Sequence, residues 1–200
     1  MASGTWRRDP NGGRVVVLAA AFSCETNHRY RLRRGVEWLM VMKDVTVRAA
    51  APADAPVVSE LVATATAKLW GQPPPADEAS VEAEWRRRIV DDEFEVFVAD
   101  LDGQVVGEIA LTDTWHVPGS AHLSSVAVRF DLWDEGVARA LLEHARAHLR
   151  QHGYKVVECW TEADNPRSVR LYERDGWTRR DERRWHPESG RWLIHFERHL

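Results

Sequence analysis

Residues 131–142 read DLWDEGVARALL, a turn with one glycine that runs straight into an amphipathic helix. Such a turn can hold an anion. The first N–H groups of a helix lack intrahelical acceptors, and the helix dipole puts positive potential there. Asp134 and Glu135 stand at its mouth. They leave the donors in place, because every residue type there supplies a backbone N–H, and acids in a first helical turn favour the helix. Their cost is electrostatic, about 1 kcal/mol for a pair of unit charges 4 Å apart in water, and salt reduces it.

Working outward, HLSSVAV (122–128) alternates as a strand before this turn, and GVARALLEHARAHLRQH (136–152) is a long amphipathic helix closed by Gly153. KVVECWT is a buried strand, NPRSVRLYERD a short helix capped by Asn165, and WTRRDERRW with RWLIHFERHL a final hairpin around HPESG. Towards the N-terminus, VTVRAA from Val45 reads as a strand. Asp54 is placed to cap the helix PVVSELVATATAKLW, and Gly71 with three prolines separates it from a second helix over about 80–90. FEVFVAD and VVGEIALT are strands around LDGQ, whose Asp-Gly signals a tight hairpin. The order is βααβββαβαββ, an α/β (α+β) class with a mixed, mainly antiparallel sheet flanked by helices.

Two hundred residues with 44% hydrophobic content suit one domain with a real core. Residues 1–43 hold 8 basic and 3 acidic side chains, which leaves 19 and 28 for residues 44–200. The acidic body disfavours nucleic acid and favours cationic small molecules. Cys24 and Cys159 show neither disulfide nor zinc spacing, so a cytoplasmic setting is expected. VVVLAAAF (15–22) follows Arg7, Arg8 and Arg14 in the outline of a signal peptide, but eight residues cannot cross a bilayer, and no membrane partner is expected. Residues 1–43 show neither strand nor helix period. They read as a poorly ordered extension or an over-extended start before the domain at 44–200, with Met40 or Met42 as the natural first residue.

This arrangement resembles the GNAT superfamily of N-acetyltransferases over residues 45–200. The family's acetyl-CoA signature is a hydrophobic strand followed by Gln/Arg-x-x-Gly-x-Gly/Ala. Val126 and Val128 match the strand, Gly136 and Ala138 the last two positions, and Ala140, Leu141 and Leu142 the packed helix face. Trp133 replaces the Gln/Arg, Asp134 a usual glycine, Glu135 a basic or neutral residue, and Phe130 a proline. Asp is among the residues that tolerate the left-handed angles a glycine there would adopt. The family's second signature, Asn-x-x-Ala/Ser-x-x-Leu-Tyr-x-x-x-Gly-Phe, is met in register by Asn165, Ser168, Leu171, Tyr172, Gly176 and the aromatic Trp177.

The resemblance implies acetyl-CoA as acyl donor, direct transfer to a primary amine in a ternary complex, and no metal. It places the cofactor against Val126, Ala127, Val128, Trp133, Asp134, Glu135, Gly136, Val137, Ala138 and Arg139, with Asn165, Ser168 and Tyr172 from the second signature. Transfer to an amine needs a route for its proton, donors for the oxyanion and an acid for the leaving thiolate. Tyr172 matches the family's thiol-protonating tyrosine, and a backbone N–H near Val126 meets the oxyanion. His122, four residues before Val126, is the first candidate for the base, since relatives place a Glu or His there. An imidazole titrates near neutrality. Glu108 on the preceding strand is the second candidate. Ser124, taken to share a face with His122, could pass a water.

Both histidine and glutamate also read as ordinary strand residues. His144, His148 and His152 recur at helical spacing and are expected to form a solvated face rather than a metal stripe. Trp70, Trp115, Trp160 and Trp185 could wall an acceptor pocket, with core packing as the other reading. RRDERRW has the charge pattern of a protected sheet edge. The functional expectation is an N-acetyltransferase acting on a cationic small-molecule amine. The alternatives are an aminoglycoside-type antibiotic acetyltransferase or a non-catalytic acyl-CoA-binding regulatory domain, and a homodimer is left open. A chain beginning at Met42 is expected to keep its melting temperature and cofactor binding. A fall of many degrees would show that the first 41 residues pack on the domain.

Overall fold

The computed structural model describes residues 45–70, 77–113, 119–187 and 189–200. The expected N-terminal extension, Cys24, Trp115 and the side chain of Trp70 lie outside them. The elements are β1 (Val45–Ala49), α1 (Ala55–Trp70), α2 (Glu78–Val90), β2 (Phe94–Leu101), β3 (Gln104–Asp113), β4 (Ser120–Val128), α3 (Val137–Gln151), β5 (Val156–Glu162), α4 (Pro166–Arg174), β6 (Thr178–His186) and β7 (Arg191–His199). They follow the order read from sequence. The seven strands lie in the order β1-β2-β3-β4-β5-β7-β6, and every pair is antiparallel except β4 with β5.

Local chemistry sets the joints. Asp102 and Gly103 both take left-handed angles, φ 54° and 81°, as a two-residue hairpin between twisted strands requires. Asn165 accepts the Ser168 N–H at 3.1 Å and Pro166 opens α4. Asp54 acts differently from its expected role. A short 3-10 turn, Pro52–Asp54, precedes α1, and the carboxylate reaches back to the Ala51 N–H at 2.7 Å and to Arg48 at 2.6 and 2.9 Å. The hydrogen bonds from Arg48 hold Asp54 below the usual carboxylate range and tie the helix start to β1.

Partners across a ladder share a face. Phe97, Ile109, Leu111, Leu123, Cys159 and Phe196 form one face, buried with Leu141 and Leu142 of α3 and Tyr172 of α4. Val96, Val98 and Ala110 form the other, buried with Val58 of α1 and with Trp85 and Ile89 of α2. Gly107 lets α3 approach, because a Cβ there would lie 3.1 Å from Leu141 Cδ1 and 3.2 Å from Val137 Cγ1. β6 is an edge strand, exposed along nearly its whole length, as its charges indicate.

The histidine stripe on α3 corrects its sequence reading. His144 is buried and its ring meets Phe97 edge-on at 4.6 Å, while His148 meets the same ring at 4.9 Å. These two pack on β2, whereas His152 is exposed as expected, and burial lowers the His144 pKa. Trp85 and Trp177 are core residues, whereas Trp185 and Trp192 meet edge-on at 5.5 Å, each about half exposed.

Candidate active site

β4 and β5 pair only from Ser120–Val156 to Leu123–Cys159, although β4 continues to Val128 and β5 to Glu162. Beyond that rung they diverge. Alternate backbone groups of 124–128 therefore face a gap on the β5 side while β3 holds the other edge. A β-bulge sits at the start of the gap. Ala110 pairs with Ser125 and Leu111 with Leu123, which leaves Ser124 unpaired, its hydroxyl donating to the Ala110 carbonyl at 3.2 Å. The bulge shifts the alternation by one, so Ser125, and not Ser124, shares the face of His122.

The turn that opens α3 lies beside this gap. Gly136 is the N-cap with φ 89° and makes no side-chain cap, so the N–H groups of the first turn, Val137, Ala138 and Arg139, are left to an outside acceptor. Open space surrounds the missing Cβ of Gly136. Asp134 adopts φ 69°, the left-handed conformation that a glycine would take without cost. The Trp133 indole N–H donates to the Val128 carbonyl at 2.7 Å and pins the turn to the end of β4.

Arg167 of α4 completes the arrangement, and sequence reading missed it. Its guanidinium donates to Asp134 at 2.9 Å and lies 4.4 Å from the centre of the Trp133 ring. The charge of Asp134 is thus countered by a cation from the helix across the gap. Nothing in the sequence pairs these positions, which are 33 residues apart, and Arg167 occupies a variable position of the second signature.

Tyr172 is 4% exposed and lies under the other side of the gap. Its hydroxyl lies near the thiol of Cys159, the β5 residue at the last paired rung. Its ring packs on Trp177 and Phe196 at 5.1 and 5.5 Å. Burial raises both the phenol and the Cys159 thiol well above their usual ranges, so both keep their protons near neutrality. His122 is half-buried on the opposite face, beside Thr112 of β3 and Glu158 of β5. The two candidates for proton transfer thus approach neighbouring rungs from opposite faces of the sheet, His122 at Glu158 and Tyr172 at Cys159.

Glu108 stands apart from them. It shares the His122 face but lies four residues along β3 from Thr112, about 13 Å at the rise of a strand. It is fully buried and accepts the Ser125 hydroxyl at 2.7 Å. Burial pushes its pKa up to about 7, against the opposing pull of that hydrogen bond and of Arg88. The structure does not bring Glu108 and His122 into one constellation.

Residues 58–177, more than half of the chain, match the family model of the acetyltransferase (GNAT) family. The mycothiol acetyltransferase of Propionibacterium freudenreichii is 32% identical over 81 residues, which are 40% of this chain and 22% of that one. The matches to curated relatives span less than half of those relatives' length. Among solved structures, a ribosomal-protein-alanine N-acetyltransferase from Brucella melitensis superposes with a TM-score of 0.65 at 23% identity, over 77% of this chain and 99% of that one. The PaiA N-acetyltransferase of Thermoplasma acidophilum, solved in complex with coenzyme A, superposes with a TM-score of 0.63 at 13% identity, over 76% and 98%. At these identities the structural likeness is one of fold.

Two measurements follow from the site. Asp134→Gly with Glu135→Lys removes two negative charges and frees Arg167. Acetyl-CoA is expected to bind more tightly by about 1–2 kcal/mol at low ionic strength, with the gain shrinking in salt. No gain at low salt would place the phosphates elsewhere. For Glu108, a raised folded pKa means that the native state holds its proton more firmly than the unfolded chain, so this group lowers stability as pH rises from about 4.5 to about 7. Glu108→Gln is expected to be the more stable form at pH 8, by up to about 3 kcal/mol, and to lose that advantage near pH 4. Equal denaturation midpoints at both pH values would contradict the buried, protonated carboxyl.

Proposed function

The chain belongs to the acetyltransferase (GNAT) family, and we propose that it is an acetyl-CoA-dependent N-acetyltransferase that acts on a primary amine of a cationic small molecule by direct transfer. The observation that carries this reading is the gap between β4 and β5 opening beside an uncapped α3. Both features fit the cofactor. The gap offers a row of β4 backbone groups to an extended amide-bearing arm, and the N–H groups from Gly136 to Arg139 offer donors to a diphosphate. The −9 balance of residues 44–200 supports a cationic acceptor.

When bound, acetyl-CoA supplies a thioester carbonyl open to attack by a neutral amine. His122 Nε2 or Nδ1 takes the proton of the incoming ammonium from the face opposite α3 and α4. A backbone N–H near Val126 receives the negative charge that develops on the carbonyl oxygen. Tyr172 Oη keeps its proton because it is buried, and holds it for the sulfur beside Cys159. Asn165 and Ser168 order the first turn of α4 and so place Tyr172 and Arg167.

A panel of primary amines assayed for acetyl-CoA-dependent thiol release tests the reading. Steady release with cationic amines is expected, whereas acetyl-CoA binding without release across the panel would favour a regulatory domain. With an active amine in hand, Tyr172→Phe is expected to leave acetyl-CoA affinity nearly intact and to lower turnover by roughly 100-fold to 10,000-fold. His122→Ala should remove the activity limb that titrates near neutrality. Unchanged turnover in the first variant, or an unchanged pH profile in the second, would strike that residue from the mechanism.

A further inference from the structure

We propose that Glu158, His195 and Glu197 form a binding site for one divalent metal ion of the zinc class, on the sheet face opposite α3 and α4. β5 and β7 pair antiparallel with Glu158 opposite Glu197 and Trp160 opposite His195, so all four side chains share one face. One nitrogen of His195 and one oxygen from each glutamate lie within 4.8 Å of one another. Glu158 and His195 are 8% and 7% exposed, and His195 Nε2 stands 3.2 Å from Glu158 Oε2. Two carboxylates and an imidazole are an oxygen and nitrogen donor set suited to zinc and its neighbours. Three protein ligands leave a fourth position to water.

The second nitrogen of His195 gives an independent pointer. Nδ1 is buried without a hydrogen-bond partner and faces Glu182 Oε2 of β6 at 3.7 Å. A neutral imidazole has one N–H and cannot serve a carboxylate on each side. An ion on Nε2 resolves this by fixing the proton on Nδ1, directed at Glu182, which is the carboxylate–histidine–metal order found around metal-bound histidines. Trp160 stacks on the His195 ring at 4.6 Å and 11°, holding the ring plane.

Glu158, Glu182 and Glu197 face two arginines, Arg180 on Glu197 at 2.6 Å and Arg184 over the Trp160 ring at 4.5 Å, which leaves one carboxylate charge uncompensated, and His122 of β4 pairs with Glu158. No step of acetyl transfer is assigned to the ion, although Glu158 is the cross-strand partner of His122.

The test uses the full chain, dialysed against chelator and titrated with Zn2+ by calorimetry and with Co2+ by visible absorption. One equivalent per chain is expected, lost in His195→Ala and in Glu158→Gln. Glu182→Gln alters an exposed side chain, 65% accessible, and is expected to keep the fold while weakening the affinity about 10-fold to 100-fold. Failure of the wild-type chain to take up an equivalent, or the same affinity in Glu182→Gln or His195→Ala as in wild type, would overturn the proposal.

Discussion

The end of pairing between β4 and β5 after Leu123 and Cys159 is the constraint on which the rest depends. A parallel pair that stopped at a chain end would be unremarkable, but here both strands continue, held by β3 on one side and β7 on the other. The sheet is therefore open in its middle, with backbone groups of residues 124–128 left without a β5 partner. Such groups are costly when buried away from water or a partner. In the reading we propose, an extended ligand that brings its own amides occupies it, and the bulge at Ser124 lies where the pairing ends.

Because the opening passes through the sheet, chemistry can reach it from two sides. The α3 and α4 side is apolar and buried, and Tyr172 and Cys159 keep their protons there. The other side, where α1 and α2 cover β2, β3 and β4, carries the titratable groups: His122, Glu158, His195 and, deeper, Glu108. In the mechanism we propose, a proton leaves the amine on one face while another is kept ready on the opposite face, without the two groups neutralising each other.

Much of this was legible in the sequence wherever the information is local. Asp-Gly at 102–103 sets a hairpin by its own backbone preferences, Asn165 caps by its own side chain, and the βααβββαβαββ order follows from punctuation and periodicity. The paired signatures around Gly136 and Tyr172 point to the cofactor site only through the resemblance to the family. What stayed hidden depends on contacts between distant residues or on a break in periodicity. The bulge at Ser124 leaves no mark in a run of two serines, so extrapolated alternation put the wrong serine beside His122. Arg167 meets Asp134 only because α4 docks across the gap, and Glu158 meets His195 only through the β5–β7 register. The inward histidines of α3 were misread because histidine suits a wet face and an aromatic contact equally, and Phe97 decides between them.

Amide hydrogen exchange of the full chain, with and without acetyl-CoA, tests the central claim that the gap and the α3 turn form one cofactor site. Slower exchange on binding is expected at residues 124–128 and 133–139, together with the first turn of α4, while α2 stays unchanged. Binding that leaves those amides unprotected, or that protects only the β6–β7 hairpin, would contradict it.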